Sequence, residues 1–156
     1  MSTCCFSGHR FLFKEETAYI ENQLIVQIDS MIVHGVTDFI AGGAIGFDMM
    51  AANAVFRKKE QGYDIRLILA LPYPGHDERW NQVDRKEFQR LAVAADEVRY
   101  ISEAYHRECY RLRNYYMVDH SAYCICACRR MHTGTSQTAD YAKRQGKYVI
   151  NLCPNV

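Results

Sequence analysis

Residues 39–56 read FIAGGAIGFDMMAANAVF. A β-type apolar run, Phe39-Ile40-Ala41, meets two glycines, and an apolar stretch of helical period begins at Phe47, directly after Gly46. The pattern predicts a strand, a tight glycine turn and a helix. Backbone N–H groups of such a turn lie at a helix N-terminus, where the helix dipole favours negative charge, so the segment is a candidate phosphate cradle. The same logic returns further on. A strand-like run, Tyr123 to Cys128, leads through Arg129, Arg130 and His132 into Thr133-Gly134-Thr135-Ser136, followed by a helical pattern. Two anion-ready turns point to a ligand carrying phosphate.

Outward from these turns, strand and helix patterns alternate. Strands are predicted at Thr3 to Ser7, Thr37 to Ala41, Ile65 to Leu71, Glu97 to Ile101, Ala122 to Cys128 and Tyr148 to Leu152. Helices are predicted from Lys14 to His34, from Gly46 to near Gly62, and over Gln82 to Ala95, Glu108 to Val118 and Ser136 to Gln145. IRLILAL, ending at Leu71, is apolar throughout, as a strand buried on both faces requires. Strict alternation predicts an α/β fold: a Rossmann-like three-layer sandwich, its mostly parallel sheet of about six strands covered by helices on both faces. The 156 residues suit a single domain over 1–156.

Composition narrows the function classes. Nineteen Lys+Arg against eighteen Asp+Glu leave a net charge of +1, so no global field attracts nucleic acid or a membrane. No apolar run approaches the ~20 residues needed to span a bilayer. MSTCCFSGHR lacks a basic region followed by an apolar stretch, so a cytoplasmic location is expected. Cys124, Cys126 and Cys128 alternate along one strand, roughly 6.5–7 Å apart on one face. Tetrahedral zinc needs closer sulfurs, so no metal site is expected and the seven cysteines read as buried reduced thiols.

The connections divide into two kinds. Turns entering strands are short and plain, such as His34-Gly35-Val36 and Gln145-Gly146-Lys147. Those leaving strands carry the unusual residues: Ser7-Gly8-His9-Arg10, Gly42 to Asp48, Pro72 to Trp80, and Arg129 to Thr135. Ligands of open α/β sheets bind outside the carboxyl ends of the strands, so this asymmetry locates the working face.

Each candidate there has two readings. Gly42, Gly43 and Gly46 either permit a tight crossing or let the backbone approach a phosphate. Thr133, Thr135 and Ser136 are good helix caps as well as potential anion ligands. Asp48 suits a helix start electrostatically, and beside a ligand it would accept hydrogen bonds from ribose hydroxyls. Arg10 can pair with phosphate or with a surface acid. His9, His76 and Asp48 are the candidate acid/base groups, and Trp80 is either a stacking lid or a core contact.

SGHR, GGAIGFD, LPYPGHDERW, RNYYMVDHS and GTSQTADYAKRQGK occur in that order. Together they resemble the YpsA-like branch of the SLOG superfamily, over about Cys4 to Leu152. The superfamily is Rossmann-like and includes the LOG phosphoribohydrolases and the core of the DprA DNA-uptake proteins. The resemblance implies ligand contacts at Ser7, Gly8, Arg10, Gly42, Gly43, Gly46, Asp48, Arg113, Asn114, Gly134 and Thr135. The LOG enzymes carry a pattern resembling GGxGTxxE, whose glutamate takes part in N-glycosidic cleavage. Alignment on Gly134-Thr135 puts Thr138 at that place, which argues against LOG-type hydrolysis.

The leading expectation is a binding domain, of the kind a sensor uses, for a nucleotide or a nucleotide-derived ligand such as ADP-ribose, NAD or a nucleoside phosphate, held at both glycine turns. The alternatives are a hydrolase acting on an N-glycosidic or phosphoester bond, and DprA-like binding of single-stranded DNA. A phosphate-bearing small molecule is the expected partner; a membrane is not, nucleic acid is disfavoured, and a homodimer is compatible with the chain.

Overall fold

The computed structural model of the protein describes residues 2–153. In chain order the elements are β1 (Ser2–Gly8), α1 (Lys14–Val33), β2 (Val36–Ala41), α2 (Phe47–Glu60), β3 (Arg66–Leu71), α3 (Gln82–Ala94), β4 (Glu97–Tyr100), α4 (Cys109–Asp119), β5 (Tyr123–Ala127), α5 (Gly134–Arg144) and β6 (Tyr148–Asn151). The six strands form one sheet in the order β4-β3-β2-β1-β5-β6. Every strand pairing among the described residues is parallel, including the edges. From β1 the chain builds to one side through β4, then crosses back to lay β5 against the other side of β1. The carboxyl ends of β1 and β5 therefore form the topological switch point, where such sheets open a crevice.

Strand alternation sorts the core into two layers. Cys4, Phe6, Phe39, Leu67, Leu69, Leu71 and Ile125 face α1, α2 and α3. Cys5, Ile40, Ile68, Ala70, Cys124 and Cys126 face α4 and α5. In α1 the buried positions Ile20, Leu24, Ile28 and Met31 recur every three or four residues, which is why this helix lies on the sheet. It ends where Gly35 takes a φ of 91°, a left-handed position suited to glycine. Cys5, Cys124, Cys126 and Cys128 act as small apolar filler beneath α4 and α5, and burial pushes the Cys126 thiol up to about 12.

Predicted and observed boundaries differ by one or two residues. The largest physical cause is at α5, which starts at Gly134 rather than Ser136. Thr133 is the N-cap: its hydroxyl accepts from the Ser136 N–H at 3.1 Å, and the Ser136 hydroxyl accepts from the Thr133 N–H at 2.9 Å. This reciprocal capping box draws the helix two residues towards β5. No helix among the described residues is long and apolar enough to cross a membrane.

Candidate functional site

A cleft of about 340 Å³ opens at the switch point. Ser7, Gly8, His9 and Arg10 reach it from the end of β1, Ala44 and Asp48 from the entry to α2, and Tyr110, Arg113 and Asn114 from α4. Arg130, Thr133, Gly134 and Thr135 close it from the entry to α5. The turns leaving β1, β2 and β5 thus share one hollow at the carboxyl edge of the sheet.

The α2 turn is closed upon the chain itself. Gly46 has a φ of 84°, and a Cβ there would sit 2.2 Å from the Arg10 carbonyl oxygen. The Phe47 N–H donates to the His9 carbonyl at 3.2 Å, so the first helical donor is already taken. A Cβ on Gly43, whose φ is 70°, would meet Leu71 Cδ2 at 2.4 Å in the core. One on Gly8 would fall within 2.3 Å of the Phe47 ring. Packing inside the protein therefore gives a cause for glycine at all three positions, and at Gly43 and Gly46 that cause is the tight crossing.

Gly42 is tied to the charges. A Cβ there would lie 2.6 Å from Asp48 Oδ2 and 3.0 Å from Arg113 Nη1. Arg113, 4% exposed, reaches across from α4 to donate to the Gly42 carbonyl, and its Nε donates to Asn114 Oδ1 at 2.8 Å. Asp48 Oδ2 accepts from the Ala44 N–H at 3.3 Å. Burial raises the Asp48 carboxyl above its ordinary range, while Arg113, the Ala44 N–H and Arg10 pull it back. Burial lowers the Arg113 guanidinium in turn, against the favourable charge of Asp48. A buried carboxylate in this setting is a strong hydrogen-bond acceptor facing a small cleft.

The α5 turn is built differently. The N–H groups of Gly134 and Thr135 have no acceptor among the described residues, whereas that of Ser136 is held by Thr133. Gly134 needs no left-handed conformation, and nothing lies within 4 Å of a Cβ placed on it. The loop before it is fixed by His9, whose Nε2 accepts from the N–H groups of Arg129 and Arg130 at 3.0 and 3.3 Å. The bonds require an unprotonated Nε2, and burial with the charges of Arg130 and Arg129 lowers the His9 pKa accordingly. His9 thus holds a loop, and its lone pair is engaged. Arg129 turns away to pair with Glu16, leaving Arg130 at the cleft.

Several sequence candidates lie elsewhere. His76 is buried with Nε2 on the Gly43 carbonyl at 2.9 Å, and its ring meets Trp80 and Phe88 edge-on. Trp80 also packs on Phe88, at 5.5 Å between centroids, so it sits over the core and outside the residues lining the cleft. Pro72 is buried and its carbonyl accepts from the Ser102 N–H at 3.0 Å. Ser136 faces a second hollow, on the other side of α5, and its hydroxyl serves the capping box. Tyr110 and Phe11 also line the cleft, outside the motifs that mark the other residues in the sequence. Tyr110 lies three residues before Arg113, one helical turn on the same face, and that spacing was the available signal.

Fold and crevice define a Rossmann-like domain with a polar, cation-rich cleft at its switch point. The chain belongs to the YpsA family, described as the YspA SLOG family, whose model matches residues 9–152. It is 26% identical over 141 residues to the uncharacterized SPbeta prophage-derived protein YoqJ of Bacillus subtilis, covering 80% of this chain and 81% of that one. It is 30% identical over 105 residues to a UPF0398 protein of Halalkalibacterium halodurans, covering 66% of this chain and 56% of the relative. Among solved structures, DNA processing protein A of Streptococcus pneumoniae superposes with a TM-score of 0.69 at 17% identity, over 96% of this chain and 49% of that one. DNA processing protein A of Helicobacter pylori, described for its single-stranded DNA binding mode, gives 0.67 at 17%, over 95% and 63%. At these identities the likeness is one of fold.

Proposed function

We propose that the cleft binds a nucleotide or nucleotide-derived ligand, with an anionic phosphate at the N-terminus of α5. The observation that carries this is the pairing of two free N–H groups, on Gly134 and Thr135, with Arg10 and Arg130 in one hollow that also holds the Asp48 carboxylate. The N–H groups and guanidiniums suit phosphate oxygens, and Asp48 suits sugar hydroxyls. The α2 turn takes no phosphate in this reading, because Phe47 donates to His9 and Asp48 would repel an anion there. One turn, not two, holds the charge.

Binding without base release is the favoured activity. Thr138 stands where the related hydrolases resemble one another in carrying a glutamate. It is buried, and its hydroxyl donates to the Gly134 carbonyl at 2.8 Å. A hydrolase would have to use Asp48 as its acid or base. Calorimetry with nucleoside monophosphates, NAD and ADP-ribose tests the reading, with chromatography of the recovered ligand. Binding of at least one, returned unchanged, is expected. Absence of binding to all of them overturns the proposal, and release of free base or phosphate that stops in Asp48→Asn replaces it with the hydrolase.

A further inference from the structure

Beside the cleft lies a cluster of tyrosines that the proposed binding mode does not use. Tyr73 leaves β3, Tyr105 leaves β4 and Tyr110 opens α4, so all three stand at the carboxyl edge of the sheet. Tyr73 meets Tyr105 at 5.7 Å and Tyr110 at 6.3 Å between centroids, both nearly perpendicular. Tyr110 lines the cleft, where the Arg10 guanidinium lies over its ring at 5.3 Å. None of the three belongs to either apolar core, and Tyr105 is 65% exposed. Tyr105 thus keeps most of its ring in water, outside the packing of either core layer.

The loop that carries Tyr105 is set in place in advance. Ser102 N–H donates to the Pro72 carbonyl at 3.0 Å, Ser102 Oγ bonds His106 Nε2 at 2.9 Å, and Glu108 N–H donates to His106 Nδ1 at 3.3 Å. Tyr73 stands edge-on to Tyr110 beside the cleft, and the neighbouring Tyr110 hydroxyl pushes its pKa up to about 12. Rings held this way lose little freedom when a flat group stacks on them. A cleft of about 340 Å³ lies at the small end of ligand pockets, on the scale of one nucleotide. Tyr110, which lines the cleft, joins it to Tyr73 and Tyr105.

We infer that Tyr105, braced edge-on by Tyr73 beside Tyr110, forms a stacking platform for a second nucleobase, joined through phosphate to the nucleotide in the cleft. The inference rests on the nucleotide reading of the cleft. The second base comes either from a dinucleotide or from the next residue of a single strand, and both present the same ring and linking phosphate. Arg10, over Tyr110, stands where the linking phosphate passes. Stacking of this kind tolerates any base.

Titrations of 5′-AMP, the dinucleotide pApA and hexa-adenylate against the parent, Tyr105→Ala and Tyr105→Phe test it. The expected result is that pApA binds the parent about tenfold or more tighter than AMP, that Tyr105→Ala removes this gain, and that Tyr105→Phe keeps it. AMP affinity and thermal midpoint stay unchanged in both variants, because Tyr105 is outside the core and the cleft. Hexa-adenylate binding no tighter than pApA assigns the platform to a dinucleotide, and a further gain assigns it to a strand. Equal affinity of AMP and pApA for the parent, or an equal loss for both in Tyr105→Ala, overturns the platform while leaving the cleft reading standing. No binding by AMP, pApA or hexa-adenylate overturns the platform, and the cleft reading is then decided by the other nucleoside monophosphates, NAD and ADP-ribose.

Discussion

Two glycine turns of similar sequence logic meet at one cleft, and they are built on opposite principles. The turn into α2 is sewn to the rest of the chain: Gly46 under the Arg10 carbonyl, Phe47 N–H on His9, Gly42 between Asp48 and Arg113. The turn into α5 leaves two N–H groups and the space above Gly134 open. A glycine beside a helix start therefore says nothing by itself about anions. What separates the two cases is whether the chain's own atoms occupy the volume that the missing side chain vacates.

The contrast breaks most sharply at Gly46. Gly46→Ala should destabilise the protein by about 2–5 kcal/mol, since it adds left-handed strain to a clash with backbone. Chemical denaturation measures this, and a shift below 1 kcal/mol would show the turn to be looser than described. Gly134→Val is the counterpart. Its stability should change by less than ~1 kcal/mol, because no atom opposes the new side chain, while nucleotide affinity should fall about a hundredfold through blockage of the anion position. An unimpaired Gly134→Val would remove the α5 turn from the site.

Asp48→Asn separates charge from geometry within the same cleft. The amide oxygen can still accept from Ala44, so the fold should persist, and affinity should fall about tenfold with the loss of a charge-assisted bond. The smallest effect concerns His9. Its pKa is depressed from 6.5 by burial and the two arginines, so the stability it contributes is complete above 6.5 and falls as acid protonates the unfolded chain first. His76 is depressed too and acts in the same direction. Melting temperature should therefore drop as the pH falls below 6.5, and His9→Gln should flatten that slope without abolishing it. An unchanged slope would mean that His9 does not carry the loop contact.

The fold was legible because each level agreed: apolar runs at strand period, helical period in α1, and a left-handed glycine after its last turn. Even the working face could be read, from which connections carried unusual residues. The site was legible as a list and not as a geometry. Nothing in the local sequence shows that Arg113 is buried and crosses to the Gly42 carbonyl, since a helical arginine is ordinarily solvated. Trp80 and His76 look like loop residues facing a ligand, yet the nearby apolar Phe88 draws both inward. Thr133 and Ser136 have the right chemistry for an anion but use it on each other. These outcomes depend on contacts distant in sequence, which local patterns do not encode.

The uneven layering of the core has a consequence for how occupancy would be felt. Of the largest fully buried side chains, only Ile40 and Ile68 face α4 and α5; the rest belong to the layer under α1, α2 and α3. The thinner layer is the one expected to open first in local unfolding. Arg113, Tyr110, Gly134 and Thr135 all stand on its two helices, so a ligand would fasten the part of the molecule that breathes most. Amide exchange should then slow chiefly in α4 and α5 when the cleft fills, turning the weaker half of the domain into the reporter of what the stronger half holds in place.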